Sequence, residues 1–106
     1  MSDRVRVAAA SEIPVGSSRE CVVGDRIVAL FHTAEGWFAI DGICAHAGGP
    51  IAQGQVSGGI VTCPWHGWQY SLATGHHCLN ARIQQTCFHV EVEADEVYVR
   101  LPQQNS

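Results

Sequence analysis

Lysine is absent from this sequence of 106 residues, and the six arginines (Arg4, Arg6, Arg19, Arg26, Arg82 and Arg100) are scattered along it. With a formal net charge of -4, the chain offers no basic run for a phosphate backbone or an anionic lipid surface. That speaks against nucleic acid and membrane as partners. Long apolar runs are also missing. Nothing approaches the roughly 20 residues of a membrane span, and the opening MSDRVRVAAASEIPVG lacks the apolar centre of an export signal. A cytoplasmic protein is the expectation. An even cysteine count is lacking too: the five cysteines (Cys21, Cys44, Cys63, Cys78 and Cys87) do not make a complete disulfide framework. Without an export signal, cysteines accompanied by histidines point to metal binding.

What is present is strand and turn. RVRVAA (4 to 9), ECVVG (20 to 24), DRIVALFHT (25 to 33) and GWFAIDG (36 to 42) are β-rich runs bounded by Gly, Ser, Pro or Asp. Ser57, Gly58 and Gly59 in GQVSGGIVTC read as a hairpin turn, because glycine accepts positive φ without steric cost. Near the end, Phe88, Val90 and Val92 alternate with His89, Glu91 and Glu93, and Val97, Val99 and Leu101 resume the pattern. Such alternation predicts two strands with one buried face each, joined by a turn at Ala94 to Glu96. No amphipathic helix of usual length is legible. At 46% hydrophobic residues, residues 1–106 are expected to form one all-β domain, an antiparallel sandwich or barrel, with strand signals giving way to Gly-rich loops over about 43 to 75.

That middle region carries the chemistry. GICAHAGGPI and TCPWHGWQY place Cys44 with His46 and Cys63 with His66, a C-x-H pair, sixteen intervening residues, then a C-x-x-H pair. Both pairs fall in Gly-rich stretches, where a hairpin between them lets the two loop tips face each other. Gly48, Gly49, Gly67 and Gly75 allow the backbone to approach whatever the ligands hold. Two thiolates and two imidazoles could bind zinc as a structural clasp in a module without redox function. Zinc pairs are usually separated by two to four residues, whereas C-x-H leaves one.

CAHAGGPI and CPWHGWQY at this spacing resemble the signature of Rieske iron–sulfur proteins, and the likeness runs from about Val5 to Leu101, most closely to the small Rieske ferredoxins. The resemblance implies an antiparallel β-sandwich with a small two-loop cluster-binding subdomain over about 43 to 75, and one [2Fe–2S] cluster per chain, with Cys44 and Cys63 on one iron and His46 and His66 on the outer one. It also implies a monomeric one-electron carrier, not catalytic by itself, between a flavin-dependent reductase and a terminal oxygenase. The small subunit of an assimilatory nitrite reductase is the alternative within the fold, although its members often lack the ligands. Neutral imidazoles in place of two thiolates remove negative charge from the cluster, which eases reduction.

Departures from the relatives sharpen these expectations. High-potential respiratory Rieske proteins carry one further cysteine in each loop, paired as a disulfide, and a serine that bonds a cluster sulfide. Here those positions are Gly49, Trp65 and Trp68, so the potential is expected toward the lower end of a span of about −150 to +300 mV. Tyr70 stands where such proteins have a tyrosine bonded to a cysteine sulfur. Two readings are open: that hydrogen bond, or a core aromatic with its hydroxyl at the surface. Many relatives carry a proline-bearing loop over the cluster where this chain has CLNARIQQT, which leaves the cover of the cluster open.

The remaining candidates have plain explanations. Cys21, Cys78 and Cys87 read as inert thiols in or near strands, His76 and His77 as a polar surface turn, and His32 and His89 as half-exposed strand residues. Glu91, Glu93, Asp95 and Glu96 either steer a basic partner or form a solvated face. Trp65 and Trp68 either pack within the loop or form a docking patch.

Overall fold

The computed structural model describes residues 4–44, 48–65, 67–80 and 82–100. Among these described residues nine strands follow in order: β1 (Arg4–Ala9), β2 (Ser17–Val23), β3 (Arg26–Thr33), β4 (Gly36–Asp41), β5 (Gln55–Ser57), β6 (Ile60–Thr62), β7 (Gln69–Ser71), β8 (Cys87–Glu93) and β9 (Glu96–Arg100). Among the described residues the only helical elements are two 3-10 turns, Ala10–Glu12 and Ile51–Gln53. The strands form a six-stranded antiparallel sheet in the order β1-β9-β8-β4-β3-β2 and a three-stranded one in the order β5-β6-β7. Local chemistry accounts for the sharpest turns. Gly58 and Gly59 both take positive φ between β5 and β6, and Ala94 and Asp95 do so between β8 and β9, the paired left-handed geometry that matches hairpin twist.

The large sheet is weakly joined at its centre, where β4 meets β8 through only Ala39↔Phe88 and Ile40↔Cys87. Its two halves fold over a shared core. Ala8 of β1, Phe88 of β8 and Val97 and Val99 of β9 pack with Cys21 and Val23 of β2, Val28 and Leu30 of β3 and Ala39 of β4. This is the expected sandwich. The alternation in β8 fades along the strand. Phe88 is buried and Val90 half-buried, but Val92 is exposed, because the strand runs past the edge of the core towards its turn. Leu101 lies outside the described residues.

A second core lies on the other side of β3 and β4. Ala29, Phe31 and Ile40 pack there against Ile51, Ala52, Val61, Tyr70 and Leu72, together with Cys44 and Cys63. β3 is therefore covered on both faces, which is why Val28 to Phe31 reads as an unbroken apolar run rather than an alternation. The small subdomain extends past residue 75, since residues 76–78 take the free edge of β7. The Ser71 amide donates to the His76 carbonyl at 2.9 Å and the Cys78 amide to that of Gln69 at 2.9 Å.

Candidate metal centre

Each cysteine of the motif opens a loop that is closed at its base by backbone hydrogen bonds. In the first, the Cys44 amide donates to the Gly49 carbonyl at 2.9 Å, and the Gly48 amide returns to the Cys44 carbonyl at 2.9 Å. In the second, the Cys63 amide donates to the Trp68 carbonyl at 2.7 Å. Gly48 and Gly67 take φ of +74° and +73° just before these closures, a region L-residues rarely occupy. His46 and His66, the expected imidazole ligands, lie outside the described residues.

The two loops meet at Gly49. A Cβ built there would stand 2.8 Å from Sγ of Cys63 and 2.9 Å from Cγ of Trp65. Only glycine lets the first loop lie against the second cysteine. The contact also brings together Gly49 and Trp65, the two positions that carry a disulfide in high-potential relatives; an indole occupies that space here.

Both sulfurs are buried, with Cys44 at 2% and Cys63 at 1% exposure. Each has a hydrogen-bond partner. The Tyr70 hydroxyl lies 3.2 Å from Sγ of Cys44, and the Trp65 amide donates to Sγ of Cys63 at 3.4 Å. Tyr70 has no exposed surface, so of its two readings the buried hydrogen bond holds and the surface hydroxyl does not. Burial pushes the Cys63 thiol up, the Trp65 amide draws it down, and the neighbouring Cys44 thiol raises it again. A positive metal centre would reverse that penalty. Two adjacent buried sulfurs, each met by a hydrogen-bond donor, suit thiolates held by iron.

A third segment covers this region. Residues 76–80 and 82–86 are drawn together through the His77 amide to the Ile83 carbonyl (2.8 Å), and the Gln85 amide donates to the Gly75 carbonyl (2.8 Å). Gln85 is 2% exposed, and its carboxamide donates to the Ile43 carbonyl at 2.7 Å and the Asp41 carbonyl at 3.3 Å. It thus ties CLNARIQQT to the chain immediately before Cys44. His77 corrects the expectation of a polar surface turn: it is 7% exposed, with its ring against Trp68 and Tyr70. The hairpin 69–78 places it opposite Tyr70 on the core face, whereas His76 is half-buried.

Cys21, Cys87 and His32 keep their plain readings, while His89 is exposed rather than half-exposed. Burial raises the thiols of Cys21 and Cys87, which disfavours the reactive thiolate; Cys78 is exposed. His32 is half-buried, stacked on Trp37 at 3.9 Å, with Nδ1 2.7 Å from the Ile13 carbonyl. The acidic group is a solvated face bound in ion pairs: Glu91 with Arg4 and Arg100, Glu93 with Arg4, and Glu96 with Arg6. Trp65 is 48% exposed, while Trp68 packs against the second core.

A twisted antiparallel sandwich with two cysteine loops meeting on a small sheet defines the iron–sulfur class in which a cluster is held between loop tips. Residues 3–94 match the model of the Rieske [2Fe-2S] domain, and the chain belongs to that family. It is 29% identical over 97 residues to ferredoxin CarAc of Metapseudomonas resinovorans, covering 90% of this chain and 91% of the relative. A chain in the complex of reduced oxygenase and oxidized ferredoxin in carbazole 1,9a-dioxygenase superposes with TM-score 0.85 at 26% identity, covering 100% of both. The fold is shared as well by a putative NADH-dependent nitrite reductase small subunit from Mycobacterium tuberculosis, with TM-score 0.88 at 18% identity and coverage of 98% and 99%. Family membership brings a [2Fe–2S] cluster with it, and the zinc clasp loses its support.

Proposed function

We propose that this chain is a one-electron carrier that accepts electrons from a flavin-dependent reductase and delivers them to a terminal oxygenase. Cys44 and Cys63 hold one iron of the cluster, and His46 and His66 the other. When bound, the [2Fe–2S] cluster supplies reversible uptake of a single electron. The protein's own part is to bury the two sulfurs, donate hydrogen bonds to them from Tyr70 and the Trp65 amide, and close both loops at their bases.

The observation that carries this reading is the meeting of the two loops at Gly49, with both cysteines buried together and each sulfur facing a donor. The match to ferredoxin CarAc along 91% of that relative supports a carrier rather than an oxygenase. The neighbouring structure of a ferredoxin with its oxygenase supports the choice of acceptor. We take the chain as a single domain acting as a cytoplasmic monomer without nucleic acid or membrane partners; no helix among the described residues is long and apolar enough to cross a membrane. Nitrite reductase small subunits share the fold, so fold alone does not separate them.

Low-temperature EPR of the dithionite-reduced protein, with iron and sulfide analysis, tests the proposal. A rhombic signal with average g below the free-electron value is expected. A colourless, zinc-replete protein without signal would overturn it.

A further inference from the structure

His77 is the one buried polar side chain among the described residues whose ring nitrogen, Nε2, has no hydrogen-bond partner. Its other nitrogen is committed. Nδ1 accepts the amide of Leu79 at 3.0 Å, so the proton of the neutral ring resides on Nε2. The backbone is equally constrained. His77 and Tyr70 are directly opposed in an antiparallel bridge, flanked by the Ser71-to-His76 and Cys78-to-Gln69 hydrogen bonds. In a pair flanked this way the side chains stand on one face at the closest cross-strand spacing. Trp68, two residues before Tyr70, shares that face. The result is a three-ring arrangement, with the imidazole perpendicular to Trp68 (82°, centroids 4.5 Å apart) and to Tyr70 (86°, 5.5 Å).

A sealed N–H costs stability unless something compensates. Here two aromatic rings stand perpendicular to the imidazole, a geometry in which a ring face can receive an N–H or C–H edge. An aliphatic residue would fill part of this space without the orphaned donor. Packed perpendicular to Tyr70, the imidazole is placed to fix the plane of the Tyr70 ring. Tyr70 points its hydroxyl at Sγ of Cys44 from 3.2 Å, and a hydrogen bond of that kind is sensitive to a ring displacement of a few tenths of an ångström.

We propose that His77 is a positioning residue of the redox centre: wedged against Tyr70 and Trp68, it holds the Tyr70 hydroxyl on the Cys44 sulfur and so raises the midpoint potential. This rests on the assignment of Cys44 as a cluster ligand. The direction follows from charge. Reduction adds negative charge to the cluster and its sulfurs, a donor on sulfur favours the reduced form, and weakening that donor lowers the potential.

The test is a redox titration of the cluster-loaded protein, followed by EPR, on five forms: wild type, His77→Val, His77→Phe, Tyr70→Phe and the double variant Tyr70→Phe/His77→Val. Expected is a fall in potential for His77→Val, in the direction of Tyr70→Phe and no larger. His77→Phe, which restores a ring, should return most of the loss. In the Tyr70→Phe background, His77→Val should have no further effect. A wild-type potential in His77→Val would overturn the proposal, as would an equal shift with Tyr70 already replaced. Should His77→Val fail to fold, His77→Leu keeps more of the buried volume and carries the same comparison. Absence of a Rieske signal in the wild type would instead overturn the ligand assignment, so the two failures are distinguishable.

Discussion

The hydroxyl of Tyr70, a residue with no solvent exposure, lies 3.2 Å from the sulfur of Cys44. Twenty-six residues separate them in sequence. With a thiol either atom could donate; with a thiolate bound to iron only the tyrosine can. Tyr70→Phe should lower the midpoint potential by about 40 mV, taking about 1 kcal/mol as the difference in that bond between redox states. Protein-film voltammetry checks this, and an unchanged potential would remove the bond from any role in tuning.

Gly49 and Gly48 are adjacent yet should fail differently. Gly49→Ala pushes a methyl into Sγ of Cys63 and the base of Trp65, whereas a Cβ at Gly48 meets nothing within 4 Å among the described residues and the +74° φ resists it. Gly49→Ala should therefore lose bound iron and sulfide. Gly48→Ala should keep its cluster at a cost of roughly 1–2 kcal/mol for the left-handed backbone. Iron content and urea melts separate the two.

Gln85 is a buried donor to two carbonyls at the root of the first loop. Gln85→Leu, close in volume, leaves those acceptors dry and should cost about 1–3 kcal/mol. The loss should appear in denaturant midpoints, and cluster release should quicken, since the lost bond to Ile43 adjoins Cys44.

Stability at acid pH should depend on Glu91. The hydrogen bond from Arg100 first, then that from Arg4 and the charges of both guanidinium groups, hold its carboxyl below the ordinary carboxylate range, against an opposing effect of burial second only to the Arg100 bond. A depressed pKa means the folded chain binds fewer protons there than the unfolded one. The contribution is complete above the unfolded carboxylate value of about 4.3 and fades as pH falls below it through the folded value. Glu91→Gln should flatten the acid limb of a stability curve between about pH 5 and 2, with little change in its slope near neutrality. An acid limb identical to wild type would show that the Arg4–Glu91–Arg100 cluster contributes nothing.

Much of the fold was legible because short-range chemistry decides it. β1 coincides with RVRVAA, and the hairpin turns at Gly58–Gly59 and Ala94–Asp95 fall where the turn residues placed them. β2 begins three residues before the run that announced it, at Ser17 rather than Glu20, because pairing with β3 extends to His32 regardless of the polarity of Ser17 to Arg19. Val92 kept the apolar pattern but lost the core, since alternation records which side a residue faces and not how far the core reaches.

The sequence by itself determined most of the strands along the chain, the glycines that let loops turn, and the paired Cys and His whose motif resembles that of Rieske iron–sulfur proteins. Residue type and local spacing carry that information. Tertiary structure alone decided that Tyr70 reaches Cys44 rather than solvent, that Gly49 lies on Cys63, that Gln85 ties down Ile43, and that His77 enters the core. Three of these four relationships join segments brought together by sheet packing, and the fourth depends on which face of a hairpin meets that packing. Such contacts follow from register and layer stacking summed over the whole chain, and no local pattern states them.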